Sequence, residues 1–230
     1  MTNPTVLVTD YPTYSIAEQA LAAPADNTFL LEVTAAPFSG LDAARLAAGK
    51  AAGSLPERLV PGGHIFGKIA QIGKTAAEEF GVTAGDLVYV EPHVICQRCK
   101  YCLTGNYSVC EAKLRYGSGT LGGGFAKYLT VVPGSRVHKL PASLPLAQLY
   151  YVGLVQTALR AVAKKGLGTL ERSLLIGGYS DFAIIAAAAG AAMGCTEITI
   201  YDPAQKKSNQ NGFCLTDTLP AGGFDIVVDA

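Results

Sequence analysis

Four of the six cysteines lie in one short segment, with two, two and seven residues between successive members. Two-residue gaps place successive thiolates on one side of a tight turn, and four sulfurs can then surround one tetrahedral Zn²⁺. A site closed by four thiolates leaves no open position for a substrate, so the spacing predicts one structural zinc per chain. An iron–sulfur cluster and four unrelated buried cysteines are the alternatives. The predicted ligands are Cys96, Cys99, Cys102 and Cys110.

A turn with two glycines is the second place where the residue types suggest chemistry. Gly177 and Gly178 follow an apolar run and precede an alanine-rich stretch. Asp202 ends the next apolar run. A strand, a turn, a helix and a second strand in this order indicate a parallel α/β unit, which can bind a dinucleotide at its first turn.

The elements that must position these residues fall into two regions. Residues 1–145 are predicted to form a barrel-like β domain, because short β-rich runs alternate with Gly, Pro and Asp. Residues 146–230 are predicted to form a partial α/β domain that begins with a helix over 146–163. The polar segment 205–210 is expected to be a loop. The other predicted elements are strands at 5–8, 29–33, 87–90, 128–132, 173–176, 197–201 and 224–228, and a helix over about 180–193.

Composition sets limits on the class of protein. The chain has 230 residues, of which 50% are hydrophobic and 16% charged, and its formal net charge is zero. This balance gives no electrostatic reason to expect nucleic acid or an anionic membrane as a partner. The start of the chain does not resemble a secretory signal, and the apolar stretch from Phe182 to Met193 is too short to span a bilayer. A cytoplasmic protein with reduced thiols or bound metal is therefore expected.

Several further motifs accompany the cysteine segment. They are Pro61-Gly62-Gly63-His64, Gly85-Asp86-Leu87-Val88, Gly123-Gly124-Phe125-Ala126 and Lys139-Leu140-Pro141. With these motifs the chain resembles the zinc-containing medium-chain dehydrogenase/reductase family of alcohol, sorbitol and threonine dehydrogenases. The resemblance implies a GroES-like β-barrel domain over 1–145, with a structural zinc lobe at about 91–115, followed by a partial Rossmann-like domain over 146–230. It also implies that the chain ends early for this family, so the nicotinamide half of the cofactor cleft is expected to be absent.

The catalytic metal site of the family is altered in this sequence. Family members bind a catalytic zinc through a Cys, the His of a Gly-His-Glu segment, and a later Cys or a Glu. By this resemblance Ser39 stands at the position of the Cys, His64 is kept, and Ile65 replaces the Glu. The later Cys falls at Gly153 or Leu154. A catalytic zinc uses three protein ligands, so no second zinc is expected.

The dinucleotide fingerprint is altered as well. The family has Gly-x-Gly-x-x-Gly at this turn, whereas Tyr179 and Phe182 stand at the second and third glycine positions here. Tyr179 is expected to block the approach of a pyrophosphate, and Phe182 to hold the helix away from the strand. Asp181 is expected to oppose the phosphate charge, with Ser180 as the N-cap. NAD(P) binding is therefore not expected, and Gly177, Gly178 and Asp202 are read as remnants of a cofactor site.

Some chemistry could remain in the first domain. Because the metal-binding Cys and His of the family share one zinc, Ser39 and His64 are expected to lie close together, and Asp42 to support the histidine. These three residues are predicted to cluster in a cleft between the two domains, with His64 as an acid or base whose charged form Asp42 favours. His93 and His138 are ranked behind it, His138 because it lies in a surface-like turn. The alternative is that Asp42 and His64 are structural partners and Ser39 fills space.

Three hypotheses for function follow. The first is a divergent homologue that binds a small molecule or performs metal-free acid/base chemistry of a lyase, isomerase or cyclase type. The second is an NAD(P)-dependent, alcohol dehydrogenase-like oxidoreductase. The third is a non-catalytic structural or regulatory homologue. A small molecule is the expected partner, nucleic acid and membrane are not, and a homo-oligomer is left open.

Overall fold

The computed structural model describes residues 2–38, 40–54, 56, 58–163, 173–210 and 212–229. The chain divides into two compact units, Met1–Leu149 and Tyr150–Ala230. Across the described ranges, the helices fall short of the length or the apolar character that a bilayer crossing requires.

The first unit is mostly β-structure with short helices in its connections. Its strands are β1 (Thr2–Asp10), β2 (Thr13–Ala20), β3 (Phe29–Ala35), β4 (Ile65–Ile72), β5 (Leu87–Val94), β6 (Leu114–Arg115), β7 (Tyr128–Val131) and β8 (Ser135–Lys139). Its helices are α1 (Gly40–Ala51), α2 (Lys74–Phe80) and α3 (Lys100–Leu103), with a 3-10 turn at Tyr107–Val109.

These strands form a hairpin and a curled antiparallel sheet. β1 and β2 pair with each other, and the second sheet has the order β6-β5-β4-β3-β7, with β8 also pairing with β5. Alternation along β5 sends Val88 and Val90 into the hydrophobic core, so Tyr89, Glu91 and His93 lie on the opposite face. Strand β5 therefore carries a row of polar and ionisable side chains on one face.

The second unit is a parallel α/β unit. Its sheet has the order β11-β12-β10-β9-β13, and only β11 runs antiparallel to its neighbour. In chain order the four parallel strands read third, second, first, fourth, which is the order of half a dinucleotide-binding fold. Its elements are α4 (Leu146–Ala163), β9 (Ser173–Gly177), α5 (Asp181–Ala192), β10 (Glu197–Tyr201), β11 (Ser208–Gln210), β12 (Phe213–Thr216) and β13 (Ile226–Asp229); α4 begins at the end of the first unit.

The element predictions hold in part. The bounds of α4 and β10 are the predicted ones. The loop predicted over 205–210 is wrong, because Ser208–Gln210 forms edge strand β11 against β12. A polar segment can be a strand at a sheet edge, where backbone hydrogen bonds suffice and side chains face solvent. His138 likewise lies in strand β8 and not in a surface turn.

Candidate functional site

The four predicted zinc ligands lie together. Their Sγ atoms are all within 4.8 Å of one another, and Cys102 and Cys110 are buried. The Sγ of Cys102 is 3.6 Å from that of Cys99 and 3.9 Å from that of Cys96. Sulfurs at the corners of a tetrahedron around zinc, each about 2.3 Å from the metal, are separated by about 3.8 Å. The spacing of the thiols therefore fits a single zinc ion.

Backbone groups hold this lobe in shape. The N–H of Cys96 donates to Cys110 Sγ and the N–H of Cys99 donates to Cys96 Sγ, both at 3.4 Å. Gln97 has a φ of 59°, so the chain turns sharply between the first two cysteines. Such a tight turn directs both sulfurs to the same side, as the two-residue spacing predicts. The cysteine cluster can hold a metal, and its closed donor set suits a structural one.

His64 is fixed by a tyrosine that the sequence analysis did not single out. His64 Nδ1 lies 2.8 Å from the hydroxyl oxygen of Tyr89 on β5. The Tyr89 side chain is buried and stacks on Phe66, with ring centroids 4.8 Å apart. Burial raises the pKa of Tyr89, so its hydroxyl stays protonated at neutral pH. A neutral His64 with its proton on Nδ1 donates it to this hydroxyl oxygen and leaves Nε2 unprotonated, whereas the other tautomer accepts the hydroxyl proton at Nδ1 and carries its own on Nε2.

The charge expected on His64 differs from the prediction. Asp42 does raise the pKa of His64, as expected, but burial and the positive charge of Arg115 lower it by more. Burial has the largest effect because a charged imidazole loses solvation. The predicted effect of Asp42 is therefore confirmed, but the net shift in the pKa of His64 is downwards, which favours the neutral ring.

Asp42 lies in the first turn of α1, where it is buried. Its Oδ1 is 3.5 Å from Nη2 of Arg115, whose side chain is also largely enclosed. Arg115 was not predicted as a site residue, although the antiparallel register of β5 and β6 places it directly opposite His93. Ser39, the third member of the predicted cluster, lies outside the described residues, so its contact with His64 stays a prediction.

The turn after β9, which contains the two glycines, is hydrogen-bonded to Asp202 at the end of β10. Asp202 Oδ2 accepts from the backbone N–H of Tyr179 at 3.0 Å, and Oδ1 accepts from Ala204 N–H at 2.8 Å. Ser180 is the N-cap of α5, as predicted, since its side chain accepts from Ala183 N–H. The exposed Asp181 adds a negative charge to the first turn.

Phe182 does not keep α5 away from the sheet. It is partly buried against the same core as Tyr179, while Ala183, Ala186 and Ala187 of α5 are almost fully enclosed. The close approach occurs at Gly190, where an added Cβ would lie 2.5 Å from Leu174 Cδ2. The prediction about Phe182 is therefore wrong, because small residues further along α5 set the helix-to-strand distance.

Comparison with known proteins places this architecture in a family. A family model described as the alcohol dehydrogenase GroES-like domain matches residues 25–142, just over half of the 230-residue chain. The chain belongs to the zinc-type medium-chain dehydrogenase/reductase family. The predicted family and the predicted pairing of a GroES-like domain with an α/β unit are thereby confirmed.

Its similar relatives are dehydrogenases. L-threonine 3-dehydrogenase of Pyrococcus furiosus is 29% identical over 151 residues, which cover 65% of this chain and 41% of that protein. The chain thus spans about two-fifths of the length of that threonine dehydrogenase. Galactitol-1-phosphate dehydrogenase from Escherichia coli has a TM-score of 0.74 at 22% identity, covering 88% of this chain and 56% of that one. A zinc-binding dehydrogenase structure from Sinorhizobium meliloti bound to NADP has the same TM-score at 18% identity, covering 88% and 57%.

The family match covers one part of the candidate site. His64, Asp42 and the four cysteines lie within the matched GroES-like domain, whereas Gly177, Gly178 and Asp202 lie beyond it. Tyr89 and Arg115 are the members that sequence reasoning missed. Strand alternation from Leu87 to Val94 could have shown that Tyr89, Glu91 and His93 share a face.

Proposed function

We propose that this medium-chain dehydrogenase/reductase homologue binds a small molecule and uses His64 as a metal-free acid/base, in a reaction of the lyase, isomerase or cyclase type. The observation that carries the proposal is the 2.8 Å contact between His64 Nδ1 and the Tyr89 hydroxyl. It holds the imidazole through one nitrogen and leaves Nε2 as the atom that can exchange a proton with a ligand.

The residues around His64 favour proton transfer over metal binding. Ile65, which stands where the family has a Glu, is fully buried in the hydrophobic core of the β sheet. A hydrocarbon side chain supplies no metal ligand, and a catalytic zinc needs three from the protein. The lowered pKa of His64 favours the neutral ring, so His64 would act first as a base. It would take up the proton at Nε2 in the tautomer whose Nδ1–H donates to the Tyr89 hydroxyl oxygen, and the resulting imidazolium keeps that hydrogen bond.

The cysteine lobe is assigned a structural part in this proposal. Cys96, Cys99, Cys102 and Cys110 would hold one Zn²⁺ that ties together the segment between β5 and β6. A zinc ion with four thiolate ligands supplies folding energy and no open coordination position. The small-molecule chemistry therefore falls to His64 and its neighbours.

Binding of NAD(P) is proposed to be weak. Both carboxylate oxygens of Asp202 already accept backbone hydrogen bonds, and Tyr179 stands where a glycine would let the pyrophosphate approach. The alternative function, an NAD(P)-dependent oxidoreductase, is favoured by the dehydrogenase names of the relatives and by the NADP in one similar structure. The two functions differ in one measurable property, which is the need for a dinucleotide.

Deuterium exchange separates the two functions. The full chain would be incubated in D₂O with pyruvate or dihydroxyacetone phosphate, and loss of the C–H signals next to the carbonyl would be followed by proton NMR. We expect exchange without a dinucleotide, its loss in His64→Ala, and its retention in the matched control His138→Ala. Oxidation or reduction of alcohols and ketones by this chain only in the presence of NAD(P) would instead support the oxidoreductase.

A further inference from the structure

A cavity of about 400 Å³ lies in the first unit, against α1 and the segment 113–118. None of the four cysteines lines it, and it is lined by more positive than negative groups. Three cations and one carboxylate line it among the residues that the structure describes, which is an excess of two positive charges. The charged lining residues are Arg45, Lys113, Arg115 and Asp42, with His93 beside them.

Helix α1 and the pairing of β5 with β6 bring these charged side chains together. Asp42 and Arg45 are three residues apart on α1, so they share a helix face. His93 and Arg115 are directly opposite in the β5–β6 ladder. Gly63 makes room for the Arg115 side chain, since a Cβ at Gly63 would lie 2.6 Å from Arg115 Nη2. Arg115 is thus seated between Gly63 and Asp42 and directed to the cavity.

The single carboxylate does not neutralise the cavity. Burial lowers the pKa of Arg115, and the like charge of Arg45 lowers it further. Burial and the charges of Arg115, Lys113 and Arg45 together lower the pKa of His93 to about 4. A negatively charged group in the cavity would offset these positive charges and accept hydrogen bonds from the guanidinium groups.

We propose that this cavity binds the anionic group, a phosphate or a carboxylate, of a small-molecule ligand, with Arg45, Lys113 and Arg115 as its cationic contacts. Neutral His93 can donate one N–H to the same anion. The volume admits an anionic group with a short carbon skeleton. The site does not depend on proton transfer by His64, so binding can be measured whether or not that proposed function is correct.

Calorimetric titration of the full chain with inorganic phosphate and with propionate tests this site at constant ionic strength. Saturable binding of phosphate alone assigns the site to phosphate esters, and saturable binding of propionate assigns it to carboxylates. We expect Arg45→Gln, Lys113→Gln and Arg115→Gln each to weaken binding about tenfold. Lys68→Gln, which removes an exposed cation of β4 that does not line the cavity, should leave binding unchanged.

Two results would overturn the site. One is the absence of saturable binding of either anion by the folded chain. The other is an equal loss of binding in Lys68→Gln and in the cavity variants, since that would show general attraction to a positive surface. Arg45 and Lys113 are exposed, so their variants test the site even where Arg115→Gln disturbs folding through its ion pair with Asp42. A melting curve of each variant confirms that the compared proteins are folded.

Discussion

Asp202 Oδ2 accepts the backbone N–H of Tyr179 at 3.0 Å, which ties the end of β10 to the turn after β9. The acid that meets the ribose hydroxyls in the family is thus engaged with the protein backbone in this chain. A bound dinucleotide would have to share this carboxylate with the N–H groups of Tyr179 and Ala204, and would meet Asp181 at the start of α5. We therefore expect NADH to bind with a dissociation constant weaker than about 100 µM.

Fluorescence titration with NADH and NADPH measures this affinity. The double variant Tyr179→Gly with Asp181→Ser should bind NADH more tightly, because it opens the turn and removes a repelling charge. Asp217→Ser, which removes an exposed acid elsewhere in the second unit, is the control. Low-micromolar binding by the unaltered chain would refute the expectation. Where binding occurs, Asp202 should favour NADH over NADPH, because its carboxylate repels a 2′-phosphate.

Substitution of a zinc ligand should destabilise the first unit. Cys102→Ser removes a buried thiolate from the four-cysteine cluster, so we expect loss of one zinc per chain and of about 3 kcal/mol or more in unfolding free energy. That loss corresponds to a fall of about 10 °C in melting temperature for a protein of this size. Elemental analysis and a melting curve measure the two effects.

Cys214→Ser is the matched control for this experiment, because Cys214 lies outside the cluster and is only partly buried. It should keep both the zinc and the melting temperature. Two zinc ions per chain in the unaltered protein would contradict the proposal that His64 has lost its metal-binding role.

The extent to which the sequence predicts this structure depends on how local each feature is. The zinc lobe, the N-cap at Ser180 and the helix from Leu146 to Ala163 follow from neighbouring residues, and each was predicted. The edge strand β11 was missed because its residues do not alternate between apolar and polar. It is a strand because it pairs with β12, and that pairing cannot be seen in the residues of β11 alone.

Contacts distant in sequence explain the errors in the candidate site. His64 and Tyr89 are 25 residues apart, and Asp42 and Arg115 are 73 apart. The register of β4, β5 and β6 fixes the positions of Tyr89 and Arg115, and the packing of α1 brings Asp42 to Arg115. The pKa of His64 depends on the same long-range placement, since burial and Arg115 outweigh Asp42. A resemblance to a family could locate His64, but it could not supply an arginine that this chain places beside it.

Removal of the Tyr89 hydroxyl should reduce stability. Tyr89→Phe keeps the ring stacked on Phe66 and leaves His64 Nδ1 without its hydroxyl partner in a largely buried position. We expect the unfolding free energy to fall by about 1 to 3 kcal/mol, the usual cost of an unpaired buried polar group. Urea denaturation measures this change. Tyr14→Phe alters a 66% exposed side chain and should change stability by less than about 0.5 kcal/mol; equal effects in the two variants would show that the Tyr89–His64 contact is not stabilising.

Packing between α5 and β9 makes a further prediction. In Gly190→Ala the new Cβ would lie 2.5 Å from Leu174 Cδ2, so either the helix or Leu174 must shift. We expect a loss of about 1 to 3 kcal/mol in unfolding free energy, despite the higher helix propensity of alanine. The control Gly122→Ala adds a Cβ whose nearest neighbour is Val60 at 3.9 Å, and it should be close to neutral. A stable Gly190→Ala protein would show that the helix does not depend on this close approach.

His93 should titrate well below an ordinary histidine. The chain has three histidines, so their ring proton signals can be assigned by proton NMR with one variant each. Burial and three nearby cations lower the pKa of His93 to about 4, so its signal should hardly move between about pH 7 and pH 5. An exposed imidazole completes most of its titration in that range, and a His93 signal that moves with it would contradict the prediction.

The lowered pKa of His93 makes the folded chain less stable as the pH falls. The pKa of His93 is lower in the folded than in the unfolded chain, so the unfolded chain takes up the proton first as the pH falls. Neutral His93 therefore contributes stability above about pH 6.5, which is lost as the pH falls towards about 4. His93→Gln should lose less stability over this interval, by roughly 1 kcal/mol after allowance for solvent screening at a half-buried site. Inorganic phosphate that occupies the cavity should raise the pKa of His93, because it offsets the charges of Arg45, Lys113 and Arg115. An unchanged pKa of His93 in saturating phosphate would place the anion elsewhere.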